Sequence, residues 1–243
     1  MKIICSDFDG TLNHGGITKD KLDAIKSWQE KGNLFCVVSG RQKEFFFELK
    51  EKNIPVDFFL SCNGAVITDK DFNIVSDERC EADIGNELAE FIFSEGCSFI
   101  FFCSDRFLRI RDPRFPDEEG TDYDKRMRFS SFNQVSTACS SFEKASELTE
   151  KIRERFGKFL NPLQNGTCID IVPRGMDKAA GIYKLLGILG GKKEDVIAVG
   201  DNVNDEAMIR EFYSYAMENG VDSIKELSDE ITVSITELIE REI

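Results

Sequence analysis

The 243-residue chain contains a single histidine, His14, one tryptophan and five prolines. One imidazole excludes a histidine-rich metal centre, and a Ser-His-Asp or Cys-His group would have to use His14, which lies in a stretch that reads as a loop. No apolar run approaches the ~20 residues that cross a bilayer as a helix. The first residues lead into a core strand rather than a signal peptide, so a cytoplasmic protein without a membrane partner is expected. Positive charge is scarce as well. The 31 Lys and Arg face 45 Asp and Glu, a formal net charge of -14, which argues against nucleic-acid binding by bulk electrostatics. Eight cysteines occur without any C-x-x-C pair, and most lie in apolar runs. Buried free thiols in a reducing compartment explain them better than disulfides or a metal cluster.

What is present is apolar material for a sizeable core: 41% hydrophobic residues, 21 of all residues being phenylalanine. That length suits one large or two smaller domains. The stretch around which the chain is organised is Lys2 to Leu12, KIICSDFDGTL. Ile3, Ile4 and Cys5 lack polar alternation, as in a strand buried on both faces of a parallel sheet. The run ends in Asp7-Phe8-Asp9-Gly10-Thr11, so two carboxylates arrive at the strand's carboxyl end, where open α/β sheets bind ligands. An Asp-Gly turn accounts for Asp9-Gly10 and leaves Asp7 unexplained, because a carboxylate beside a core strand needs a cationic partner. A hard divalent ion such as Mg²⁺, held by one or two carboxylates, is the simplest candidate.

The same grammar recurs downstream. A helix is expected from Thr18, as N-cap, to Lys31, stopped by Gly32, and a buried strand over Leu34 to Val38. The strand ends in Ser39-Gly40-Arg41, with Ser39 as N-cap of a helix from Gln42 to Lys52 or as a phosphate contact. Asp57 to Cys62 reads as a strand and Val66 to Val75 as a hairpin. Residues 81–172 change texture: helices near Ile84 to Ser94 and Phe142 to Phe156 alternate with strand-like runs Ser98 to Cys103, Phe107 to Arg111, Gln134 to Cys139, Phe159 to Leu163 and Thr167 to Val172. This is the pattern of an α+β domain with an antiparallel sheet, with Asp112 to Lys125 as an acidic loop. The first texture then returns in a helix over Lys178 to Leu186 and a strand over Asp195 to Val199 leading into GDNVND. The expectation is an α/β, Rossmann-like parallel-sheet core over 1–80 and 173–243, interrupted by an inserted domain at 81–172.

Four separated segments thus bring Asp7 and Asp9, Ser39, Lys178, and Asp201 with Asn204 and Asp205 to one sheet edge. Singly, each has an ordinary structural role: a solvated lysine, a cap, a turn residue. Together and in this order they resemble the haloacid dehalogenase (HAD) superfamily, in particular its Cof-like group with a large α/β cap. DFDGTL, VVSGR, GMDKAAGI and GDNVNDEAM resemble that superfamily's four motifs, and Asn63-Gly64-Ala65 and AMENG are similar to further Cof-like features. The resemblance implies a Mg²⁺-dependent phosphatase of small phosphorylated metabolites, most simply sugar phosphates. Asp7 would be the nucleophile that forms an aspartyl-phosphate and Asp9 the acid and base. Asp7, Asp9 (through its carbonyl), Asp201 and Asp205 would hold the metal, and Ser39, Gly40, Arg41, Lys178 and Asn204 the substrate. The inserted domain would be a cap that excludes water and reads the leaving group, with Asp105, Arg109 and Arg111 as candidate contacts. A phosphomutase and a non-catalytic Mg²⁺-binding α/β module are the alternatives.

Overall fold

The computed structural model describes residues 1–48 and 54–243. Within it the chain divides into two compact units, Met1–Ser76 with Lys178–Ile243, and Asp77–Asp177. The first unit opens with β1 (Ile3–Ser6), α1 (Lys19–Glu30), β2 (Leu34–Val38), α2 (Lys43–Glu48), β3 (Phe58–Ser61), β4 (Val66–Asp69) and β5 (Ile74–Asp77). The second contains α3 (Ala82–Ser94), β6 (Phe99–Cys103), β7 (Phe107–Arg111), β8 (Thr121–Asp122), β9 (Gln134–Ala138), α4 (Phe142–Phe156), β10 (Leu160–Asn165) and β11 (Cys168–Pro173). The chain then completes the first with α5 (Lys178–Leu189), β12 (Val196–Gly200), α6 (Glu206–Glu211), β13 (Tyr213–Met217), α7 (Asp222–Lys225), β14 (Glu230–Thr232) and α8 (Ile235–Glu242).

The eight strands of the first unit are ordered β14-β13-β12-β1-β2-β3-β4-β5. Those from β14 to β3 run parallel, and β4 lies antiparallel to β3. Unbroken apolar runs are explained by burial on both faces. Ile3, Cys5, Cys36 and Val38 pack with Ile182 and Leu185 of α5, whereas Ile4, Phe35 and Val37 pack with Ile25 and Trp28 of α1 and with Leu238 of α8. All eight cysteines are free thiols, six of them buried. Among the described residues no helix is long and apolar enough to cross a membrane.

The second unit has a sheet of order β10-β11-β9-β6-β7-β8, antiparallel except for the parallel β7–β8 pair. Leu88 and Ile92 of α3 and Leu148 and Ile152 of α4 pack on Ile100, Phe102, Val135 and Ile171. Two expectations need correction. The acidic segment 112–125 is not wholly loop, since Thr121 and Asp122 pair with Ile110 and Arg111 and Arg111 Nε donates to Asp122 at 2.6 Å. Ser39 is not a helix N-cap, because α2 begins only at Lys43; its hydroxyl instead accepts the Arg41 N–H at 3.2 Å, closing a local turn. The far end of that expected helix, residues 49–53, lies outside the described residues.

Candidate active site

Parallel register decides which residues meet. Ser6 of β1 pairs with Val37 of β2 and with Val199 of β12, so the three strands end side by side. Asp7, Ser39 and Asp201 are the residues that follow, one or two positions on. The turn after β1 depends on Gly10, whose φ of +83° is left-handed and whose added Cβ would stand 2.4 Å from an Asp201 carboxylate oxygen. Only glycine lets the DFDGTL turn approach the GDNVND loop so closely. Thr11 Oγ1 then donates to Asp201 Oδ1 at 2.7 Å.

Lys178, the first residue of α5, is fully buried and joins two of the acids. Its ammonium donates to Asp7 Oδ1 at 2.5 Å and also to Asp205 Oδ1. The other Asp205 oxygen accepts the backbone N–H groups of Asp201 (2.9 Å) and Asn202 (3.0 Å), which fixes the β12 loop. Burial lifts the Asp7 carboxyl to about 8 against the pull of the Lys178 ammonium, and the charges of Asp205 and Asp201 add to the rise. Burial also raises Asp201. For Lys178, burial acts to lower the pKa, but Asp205 and Asp7 outweigh it and hold the ammonium above the ordinary lysine value.

Asp7, Asp201 and Asp205 offer one carboxylate oxygen each, all within 4.8 Å of one another. Three carboxylates beside one ammonium leave negative charge in excess, in a place shielded from water. This all-oxygen donor set fits a hard divalent cation and offers nothing to a soft one. Asp9 lies apart from the cluster. Its carboxylate is half-exposed and bidentate with Arg41, Nε to Oδ2 at 2.6 Å and a terminal nitrogen to Oδ1 at 3.0 Å. The same guanidinium rests 4.1 Å from the centre of the Phe45 ring. Ser39 is buried, and Asn204 occupies the short turn Val203–Asp205.

Two contributors escaped the sequence reading as individual residues. Thr11 is read there only as part of DFDGTL, and Asn219 only as part of AMENG; yet the Asn219 amide donates to the Gly10 carbonyl at 2.9 Å and so braces the first turn. The candidate cap contacts are engaged within their own unit: Asp105 with Arg79, Arg109 with Glu118 and Arg111 with Asp122.

A parallel α/β sheet whose strand ends gather three carboxylates around one lysine defines an α/β protein with a ligand- and cation-binding sheet edge. The pattern of the haloacid dehalogenase-like hydrolases matches residues 4–237, and the chain belongs to that family as a phosphatase. It is 28% identical over 236 residues to the 5-amino-6-(5-phospho-D-ribitylamino)uracil phosphatase YcsE of Bacillus subtilis (strain 168), covering 96% of this chain and 90% of that one. Over 275 residues it is 26% identical to YwtE, a phosphatase of the same name from that organism, covering 96% and 93%. A solved structure from Streptococcus mutans superposes with a TM-score of 0.87 at 19% identity, covering 100% of this chain and 98% of that one, and shares the HAD-like Rossmann-type fold.

Proposed function

We propose that the chain hydrolyses small phosphate monoesters of the sugar-phosphate kind with Mg²⁺, in the cytoplasm, through an aspartyl-phosphate on Asp7. The observation that carries this reading is the group formed by Asp7, Asp201, Asp205 and Lys178 at the sheet edge, where three carboxylates converge on one buried ammonium and leave negative charge over for a hard cation. Mg²⁺ held by Asp7, Asp201 and Asp205, with the Asp9 carbonyl as a further ligand, would supply positive charge for the phosphoryl oxygens. Lys178 offsets the repulsion between the Asp7 carboxylate and the incoming phosphate. Two like unit charges ~4 Å apart repel by ~4 kcal/mol at an effective dielectric of 20, so the two anions do not meet unaided.

The Asp7 carboxylate attacks phosphorus, a bond forms from its oxygen, and the bond to the ester oxygen breaks. Asp9, released from Arg41 and protonated from solvent, gives that proton to the departing alkoxide. It later takes a proton from the water that attacks the aspartyl-phosphate, which frees inorganic phosphate and returns the Asp7 carboxylate. To do so Asp9 must part from Arg41, whose guanidinium then becomes available to the substrate. Ser39, Gly40 and Asn204 complete the phosphate contacts. We assign the inserted unit the role of a cap that selects the leaving group.

The test is phosphate release from a panel of phosphorylated metabolites, with p-nitrophenyl phosphate as the generic ester. The panel includes the 5-amino-6-(5-phospho-D-ribitylamino)uracil named for the Bacillus relatives. Asp7→Asn should lower turnover by about 10⁴-fold or more, as expected for loss of a nucleophile. Turnover that survives the substitution would remove Asp7 from its role. Isomerised hexose phosphate without free phosphate would point to a mutase instead.

A further inference from the structure

Besides Lys178, the only buried lysine among the described residues is Lys21, which is 7% exposed. Its position is electrostatically poor twice over. It lies in the first turn of α1, where the helix dipole disfavours a cation. Burial also draws its ammonium below the ordinary lysine pKa. Three main-chain carbonyls offset both penalties: those of Leu12 at 2.9 Å and Gly16 at 3.0 Å, and that of His14. An ammonium has three N–H donors, and each here meets one carbonyl. Conversely, three carbonyl oxygens aimed at one centre repel one another unless a cation stands among them, the arrangement by which carbonyl rings hold monovalent ions.

We infer that Lys21 is a positioning residue whose ammonium acts as the resident cation of a carbonyl cage at Leu12, His14 and Gly16, and that the emptied cage takes a free ammonium ion. The cage holds the turn that carries Asp9. Leu12 N–H donates to the Asp7 carbonyl (3.2 Å), Asn13 N–H to Phe8 (2.8 Å) and His14 N–H to Thr11 (3.2 Å), so the caged segment and the DFDGTL turn form one hydrogen-bonded piece. Release of the cage therefore loosens Asp9 and Thr11 without removing either. The catalytic consequence rests on the role proposed for Asp9; the cage itself does not.

The experiment uses the full chain carrying Lys21→Ala, with exposed Lys19→Ala as the control for a lysine lost from the same helix end. Lys21→Ala should lower kcat on p-nitrophenyl phosphate by roughly 10- to 100-fold, the scale of a misplaced reacting group, with KM little changed. Ammonium chloride should restore kcat, and tetramethylammonium chloride at the same ionic strength, which cannot donate hydrogen bonds, should not. Ammonium should also raise the melting temperature of Lys21→Ala and leave those of wild type and Lys19→Ala where they were. The melting result judges the cage even if the wild-type chain turns over no ester, in which case the phosphatase reading alone fails. A Lys21→Ala protein that ammonium does not stabilise, or that both salts restore equally, overturns the inference. If Lys21→Ala does not fold, refolding in ammonium but not in tetramethylammonium supports the cage, and refolding in neither or in both overturns it.

Discussion

The two units treat charge in opposite ways. In the first, Lys178, Asp7 and Asp205 are buried together, with side-chain exposures of 0%, 7% and 0%. In the second, Arg79–Asp105 and Arg111–Asp122 each leave the acid largely in water, and Arg109–Glu118 leaves both partners about a third exposed. Buried ions cost several kcal/mol each in lost hydration, and their mutual attraction often fails to return it. Surface pairs cost little and contribute about 0–1 kcal/mol. A fold selected for stability alone would fill the first unit's sheet edge with apolar side chains. That it gathers ions there makes this edge the candidate for chemistry, while the second unit's three pairs close on partners within that unit.

The contrast can be broken by removing one cation from each unit. Lys178→Met strands Asp7 and Asp205 without their counter-ion, and the loss expected for half of a buried pair is about 3–5 kcal/mol. Lys125→Met removes a second-unit cation that is 79% exposed and paired with Glu90, and should cost about 1 kcal/mol or less. Urea unfolding of both variants measures this, and Trp28, the single tryptophan and fully buried in the first unit, reports the Lys178 effect by fluorescence. Equal losses would show that the buried cluster carries no special electrostatic load.

A smaller effect probes packing beneath the same cluster. Gly181, one turn into α5 after Lys178, has no Cβ, and one placed there would stand 2.5 Å from the Gly64 Cα. Gly181→Ala should destabilise by about 1–3 kcal/mol through overpacking, and melting curves with Gly187→Ala as the open-space control check it. This contact also marks where sequence reading stops. Strands β1, β2 and β12 were legible because burial on both faces writes itself as an apolar run, and Asp7, Ser39 and Asp201 were legible because they follow those runs directly. The Gly64–Gly181 approach, the Asn219 brace on Gly10 and the Asp9–Arg41 pair were not, since each joins segments whose distance is set by tertiary packing rather than by local pattern. Strand β8 was hidden for a related reason: two exposed polar residues carry no periodicity, and only pairing with β7 makes them a strand.

The subtlest difference lies in the one strongly buried acid of the second unit. Asp112 is 4% exposed and is bound by the Arg114 guanidinium, and its other oxygen accepts the Arg114 N–H at 2.9 Å. The Arg114 side chain, with its backbone N–H, holds this carboxyl below the usual aspartate range despite the burial. A carboxyl with a depressed folded-state pKa binds fewer protons folded than unfolded, so its contribution is full above the unfolded value of about 3.9 and disappears as pH falls through the lower folded one. Asp112→Asn should therefore be less stable than wild type at pH 7, and the gap should close between roughly pH 4 and the onset of acid unfolding. Far-UV melting curves of the two proteins across that range measure it. A gap that stays constant would mean that Asp112 contributes through its shape and hydrogen bonds alone, and the second unit would then hold no charge whose burial matters.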